Sequence, residues 1–356
     1  MLIASEVTEG SCRPSGHTFI VLDALRGLAA GAVALSHASI VLFGFGGIQN
    51  AGLAVDFFFM LSGFVLTHAY RAKLNRGNYV RTFLVRRVIR LFPLIAVGTI
   101  ISVIPFVFRF SDHIYLLRLS IQGVFLIPEY LPRYTFIGMF PMNPPAWSLF
   151  YEMLASLLFA VGVWRRGRWS FLIVIALGVL AIGVTIAVVG SLNLGAQLGD
   201  ATSGFSRILF GFGAGVALYR FGLGLRVPSM PLPVFGAALL AILLSPIHSQ
   251  LFMAAAVFLF FPLIILSGAN SETSMTRFST FSGDISYPLY ILHWPIYNWV
   301  YGALKVSGVM APKLLVVSLA LLAAMTGAVL ILRYVDVPVR AMLANLTRPR
   351  KLKPDA

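Results

Sequence analysis

The sequence predicts an all-α, polytopic membrane helix bundle, and three observations carry the prediction. Charged residues make up 11% of the 356 residues against 59% hydrophobic ones, with a mean hydropathy of +0.90. A soluble domain needs about 25% charge to cover its surface, so most of this surface faces lipid. Apolar stretches close to the ~20 residues that cross a ~30 Å hydrocarbon layer recur along the chain. No stretch alternates apolar and polar residues as barrel strands do, and only helices or closed barrels satisfy their backbone groups in lipid. A soluble enzyme, a disordered chain and a disulfide-stapled secreted domain are thereby excluded. The single cysteine, Cys12, has no internal partner.

The elements follow in order. Residues 1–18 are polar and contain Gly10, Pro14 and Gly16. They lack the apolar core of a cleaved signal peptide and are expected to form a short cytoplasmic segment. About ten spanning helices come next, at 19–43, 52–70, 91–110, 146–163, 169–189, 205–221, 231–245, 250–266, 285–304 and 312–332. The seventh and eighth are short and meet at Ser245-Pro246. The longest outer segment, 111–145, carries Asp112, His113, Arg118, Glu129 and Arg133. Its apolar piece from Tyr115 to Ile127 is too short to span and reads as interfacial or re-entrant. Residues 19–340 read as one transmembrane domain, and 341–356 as a basic cytoplasmic tail.

Orientation follows from the positive charges. With the N-terminus inside, 21 of the 27 Lys and Arg fall on the inner side, including Arg71 to Arg90 and the tail. The six on the outer side are Arg109, Arg118, Arg133, Arg207, Lys305 and Lys313. Both termini are therefore expected in the cytoplasm, which requires an even number of spans. The net charge of +15 is then mostly topology, and no nucleic-acid partner is expected.

The candidates among the ionisable residues of the predicted spans are Arg26, His37, Asp56, Glu152 and His293. A charge at the bilayer centre costs roughly 2.5–3.5 kcal/mol, so each is a candidate for function. Arg26 and His37 are eleven positions apart, which places them on one helix face about 16 Å apart. The small residues between them, Gly27 to Ala34, suit close helix packing. Counted from the predicted helix ends, His37 lies in the outer third. Asp56 and Glu152 lie about 6 Å and 9 Å below the outer surface. The three are expected to share one layer, where a carboxylate could orient the imidazole as base or nucleophile. Arg26 and His293 are expected nearer the inner half. The structural alternative is that these groups pair only to lock helix packing, and that Arg26 snorkels to the interface.

Arg86, Arg87 and Arg90 precede Leu91-Phe92-Pro93 within one turn of each other. Guanidiniums at a helix entrance bind phosphate bidentately, or anionic lipid. Gly211, Gly213 and Gly215 read as helix packing, because no strand precedes them as a nucleotide fingerprint would require. No phosphate loop or paired-cysteine motif is present, and no metal is expected.

These residues resemble acyltransferase family 3, integral-membrane O-acyltransferases of cell-surface carbohydrates. Leu22-Asp23-Ala24-Leu25-Arg26-Gly27-Leu28 with His37 is similar to the family's arginine, ten residues, histidine signature. Asp56 to Phe64 (DFFFMLSGF), the Arg86–Pro93 cluster, Trp147-Ser148-Leu149 with Glu152, Ile285 to Pro295, and Asp336-Val337-Pro338 resemble its other segments in order. The resemblance implies a stand-alone enzyme of the bacterial inner membrane. It implies acetyl-CoA or another acyl-CoA as cytosolic donor, and an extracytoplasmic glycan or glycolipid, such as exopolysaccharide, as acceptor. It makes His37 the catalytic histidine, as base or transient acyl carrier, with Arg26 its signature partner. Asp56 and Glu152 would orient His37 or activate the acceptor hydroxyl. Arg86, Arg87 and Arg90 would hold the CoA end, and Trp147, Ser148 and His293 would line the pocket. Two competing readings are a proton-coupled transporter using His37, Asp56 and Glu152, and a structural membrane protein.

Overall fold

The computed structural model describes residues 19–44, 47–75, 79–108, 111–130, 138–164, 168–192 and 194–347, with side chains from 171 onward in the sixth segment. The N-terminal segment 1–18, the end of the basic tail and several of the topology-setting arginines lie outside these residues. Thirteen helices occur among the described residues, with no strand. They are α1 Ile20–Phe43, α2 Ala54–Leu74, α3 Val80–Val107, α4 His113–Val124, α5 Ala146–Val161, α6 Arg168–Val189 and α7 Ala201–Ala217. Then follow α8 Leu232–Leu243, α9 Gln250–Ala255, α10 Phe261–Ala269, α11 Thr276–Ser307, α12 Lys313–Ile331 and α13 Val337–Leu346.

The chain is thus an all-α polytopic bundle, and among the described residues each of the ten predicted stretches is mainly helical. Seven helical runs are long and apolar enough to cross a membrane. They are α1, α2 with its preceding turn, α3, α6, α7 with its flanking turns, α9–α10 and α12–α13. Two helices start about two turns or more before their predicted positions. α3 begins at Val80 instead of 91, and α11 at Thr276 instead of 285. The extensions are polar: Arg81, Arg86, Arg87 and Arg90 in α3, and Ser279, Ser282 and Asp284 in α11. Hydropathy ends a span at such residues, but none of them breaks a helix. The segment 111–145 contains α4, whose Asp112 side chain caps the helix by accepting from the Tyr115 amide at 2.9 Å. At 12 residues it is too short to span, as expected.

Two helix pairs form the frame. α1 and α11 run side by side in the same direction, and α2 packs on α7. Glycines permit both approaches. A Cβ at Gly27 would lie 2.0 Å from Ser282 Oγ, and one at Gly215 would lie 1.9 Å from the Met60 carbonyl oxygen. Small residues at both crossings do the work that the sequence suggested. Prolines shape the long helices. Pro295 cannot donate to the Ile291 carbonyl, and Asn143 Nδ2 donates to it instead at 2.8 Å. Pro105 likewise frees the Ile101 carbonyl, which accepts from Trp299 Nε1 at 3.0 Å. Wide π-type turns, Ala256–Phe260 and Leu332–Asp336, precede Pro262 and Pro338 and relieve the clash of each ring with the preceding turn.

Candidate active site

The site starts at the α1–α11 crossing. The Ala24 carbonyl accepts from Ser282 Oγ at 3.1 Å. Further along the same two helices, His37 Nδ1 and His293 Nε2 meet at 2.8 Å. The ring centroids are 5.0 Å apart and the planes differ by 21°. The imidazoles therefore meet edge to edge in a nearly shared plane. His293 is fully buried, and its Nδ1 bonds the Leu289 carbonyl one turn earlier at 3.0 Å. His37 is half-buried, and the edge of Trp294 packs against it with centroids 5.2 Å apart.

Eleven residues back along α1, about 16 Å by helical rise, Arg26 is held by α11. Its Nε donates to Ser286 Oγ at 2.9 Å and its Nη2 to the Gly283 carbonyl at 2.8 Å, while Asp23 pairs with it at 3.1 Å. This Arg26 does not snorkel; it ties the two helices together. Arg87 of α3 is buried and forms an ion pair with Glu152 of α5, and its Nε reaches Ser156 Oγ at 3.2 Å. Ser62 Oγ of α2 donates to the same Glu152 oxygen at 3.1 Å. Arg90 lies among Arg26, Arg87, Arg340 and Glu152, yet is solvent-exposed. It is the accessible member of this arginine cluster. Among the described residues Arg90 has no hydrogen-bond or ion-pair partner. Asp336 pairs with Arg340 at 2.6 Å at the same end. Four arginines thus gather with three carboxylates, Asp23, Glu152 and Asp336, leaving an uncommitted cation that suits a polyanion. Arg86 is exposed and turned onto the Tyr79 ring at 5.6 Å, apart from Arg87.

The expected single layer of His37, Asp56 and Glu152 does not form. Asp56 is buried against Arg207 of α7, with Nε to Oδ1 at 3.0 Å and Nη2 to Oδ2 at 2.8 Å. Arg207 also donates to the Leu194 and Gly52 carbonyls and sits over the Trp147 ring at 5.3 Å. Arg207, expected as an outer surface charge, is therefore a buried ion-pair partner. Glu152 lies with the arginines because α5 starts inside the bundle. Met139, Phe140, Met142 and Asn143 lead into it buried, and Asn143 reaches Ile291 in the middle of α11. His293 does not lie toward the Arg26 end as expected. The early start of α11 moves it along the helix to the level of His37.

A connection runs between the two polar sites. Tyr290 bonds Ser148 at 2.8 Å, one turn before Glu152 on α5, and its ring lies 6.1 Å from that of His293. Ser148 and His293 are brought together through Tyr290, while Trp147 goes to Arg207. Arg207 was legible as an ionisable residue in an apolar run, under the same rule that singled out Asp56. Tyr290 and Ser286 carried no comparable signal. Among the described residues, no three His, Cys, Asp or Glu are grouped to hold a metal ion.

Residues 19–333, most of the chain and all of the residues above except Asp336 and Arg340, match the family described as an acyltransferase domain. The chain belongs to acyltransferase family 3. A relative of this acyltransferase, described as protein 2 in the picA locus of Rhizobium radiobacter, is 31% identical over 184 residues, which are 48% of this chain and 95% of that protein. No solved structure matches the acyltransferase. The enzyme is a multi-pass membrane protein, and its family gives it an acyl donor.

Proposed function

We propose that this acyltransferase moves an acyl group, acetyl in the first instance, from cytosolic acyl-CoA to a hydroxyl of an extracytoplasmic carbohydrate. The observation that carries the reading is the division of labour along α1. An arginine cluster with an accessible guanidinium, Arg90, stands at the Arg26 end, and a paired imidazole, His37, stands about 16 Å away by helical rise. The positive-inside distribution supports putting the arginine cluster on the cytoplasmic side of a bacterial inner membrane, with both termini there. The cluster suits the phosphates of CoA, and the long thioester arm suits the distance between the two sites.

In the transfer, His37 acts as base or as transient acyl carrier. As base, a ring nitrogen takes the proton of the acceptor hydroxyl while its oxygen attacks the thioester carbonyl. The C–O bond forms, the C–S bond breaks, and the proton passes from the imidazole to the leaving thiolate. The products are the ester and free thiol. As carrier, the nitrogen attacks the thioester and expels the CoA thiolate, then yields the acyl group to the hydroxyl, whose proton ends on that thiolate. The transporter reading loses support, because Asp56 and Glu152 each pair with an arginine instead of with His37.

The test is labelled acetyl-CoA added to vesicles containing the purified protein, together with mass spectrometry of surface glycans from wild-type and deletion strains. Transfer of label and its loss in folded His37→Ala are expected. Solute uptake without acyl transfer, or full activity in His37→Ala, overturns the reading.

A further inference from the structure

We infer that His293 is a positioning residue that fixes the tautomer of His37, keeping the proton of His37 on Nδ1 and leaving Nε2 as the reacting nitrogen. The inference rests on the catalytic reading of His37 for its consequence, but its geometry stands apart from any activity.

The argument runs through three atoms. A carbonyl oxygen only accepts hydrogen bonds, so the 3.0 Å contact with Leu289 requires the proton of His293 to be on Nδ1. A neutral imidazole carries one N–H and one lone pair, so Nε2 of His293 is then an acceptor. The 2.8 Å contact from that nitrogen to His37 must therefore be donated by His37 Nδ1–H. The near-shared plane of the two rings, 21° apart, directs the lone pair along the bond. The remaining nitrogen of His37, Nε2, keeps its lone pair for the acceptor proton or the acyl group. The backbone carbonyl of α11 thus plays, through one imidazole, the orienting part that a carboxylate plays in other catalytic histidine arrangements. The geometry also accounts for the absence of Asp56 and Glu152 from this pair: neither is needed to set the tautomer.

The surroundings hold His293 in place. Its ring is fully buried, flanked by Tyr290 and by Tyr297, whose hydroxyl donates to the Ala34 carbonyl of α1 at 3.1 Å. Tyr297 thereby locks the α1–α11 register on which the 2.8 Å bond depends.

Two replacements separate positioning from packing. In His293→Gln the amide oxygen reaches about where Nε2 stood and still accepts from His37 Nδ1–H. In His293→Leu the core is filled but the acceptor is gone. If the assignment holds, His293→Leu lowers kcat by about 10²–10⁴-fold with little change in KM for acetyl-CoA, as expected for a histidine left in the wrong tautomer, and His293→Gln recovers most of the loss. A packing role predicts the reverse order, because leucine fills an apolar core better than glutamine. The direct readout is ¹⁵N NMR of histidine-labelled protein in vesicles, with His37 assigned from His37→Asn. A protonated Nδ1 and bare Nε2 on His37 are expected, and a shift toward the other tautomer in His293→Leu. A protonated Nε2 in the wild type, or a His37 spectrum indifferent to His293→Leu, overturns the inference. Loss of the catalytic reading alone would leave this spectrum as described while His37→Ala kept its activity, so the two failures are distinguishable.

Discussion

Asp56 and Arg207 close a two-point ion pair inside the bundle, each side chain about 2% exposed or less, with both carboxylate oxygens engaged. The pair joins α2 to α7, and the guanidinium also donates to the Leu194 and Gly52 carbonyls. Removing one partner leaves a buried charge with nothing to offset it, which costs about 3–5 kcal/mol. Asp56→Ala and Arg207→Ala should each lower the yield of folded protein and the thermal midpoint in detergent. The double replacement should cost less than the sum of the singles. Additive losses in a double-mutant cycle would show that the pair is not coupled.

Among the described residues Arg90 is the arginine of the cluster without a hydrogen-bond or ion-pair partner, while Arg87 is committed to Glu152. Replacing Arg90 therefore removes a group available to donor phosphate without opening a buried pair. Arg90→Ala should raise KM for acetyl-CoA roughly 10-fold or more, since a charge-assisted hydrogen bond contributes about 1.5–3 kcal/mol, and should leave the thermal midpoint nearly unchanged. Arg87→Ala should instead lower the midpoint as well, because Glu152 is left unpaired. A KM for acetyl-CoA that does not respond to Arg90→Ala would remove this residue from donor binding.

The elements were legible where hydropathy alone decides them, and the pairings were not. Arg26 and His37 could be read as one face of one helix because only their spacing was needed. The partners of Asp56, Glu152 and His293 depended on depth, and depth was counted from the ends of apolar stretches. Those ends mislead where a helix continues through serine and arginine, as α11 and α3 do, or starts in mid-bundle, as α5 does behind buried Phe140 and Met142. Arg207 escaped notice for the same reason: it stood two residues inside a predicted span and was counted with the outer charges. The His37–His293 bond joins positions 256 residues apart, and no local pattern encodes such a contact.

Gly27 faces the backbone of Ser282 so closely that an added methyl would sit 2.4 Å from the Ser282 carbonyl oxygen, whereas Gly31 faces open space. Backbone cannot yield as a side-chain tip does. Gly27→Ala should separate α1 from α11 and cost about 1–3 kcal/mol of stability. It should also weaken the Arg26 and His37 contacts to α11 that this crossing sets. Gly31→Ala, on the same helix, should be neutral or slightly stabilising, since alanine is the better helix former. Thermal unfolding of the two variants in one detergent checks the contrast. Equal midpoints would mean that the crossing is looser than it stands here.

The Ser148–Tyr290 bond has a direction that can be deduced and tested. Ser148 Oγ also bonds the Pro145 carbonyl at 3.1 Å. A carbonyl cannot donate, so the single serine proton goes to Pro145, and the Tyr290 hydroxyl must donate to Ser148 Oγ across 2.8 Å. The two deletions are then unequal. Tyr290→Phe removes a donor and leaves Ser148 still bonded to Pro145, at a cost of about 1 kcal/mol or less. Ser148→Ala strands the tyrosine hydroxyl in a side chain only 6% exposed, and leaving such a group unmade costs about 1–3 kcal/mol. Ser148→Ala should therefore be the less stable variant, and adding Tyr290→Phe to it should restore stability by removing the stranded hydroxyl. If Tyr290→Phe proves the more damaging of the two, the bond runs the other way and the serine proton does not belong to Pro145.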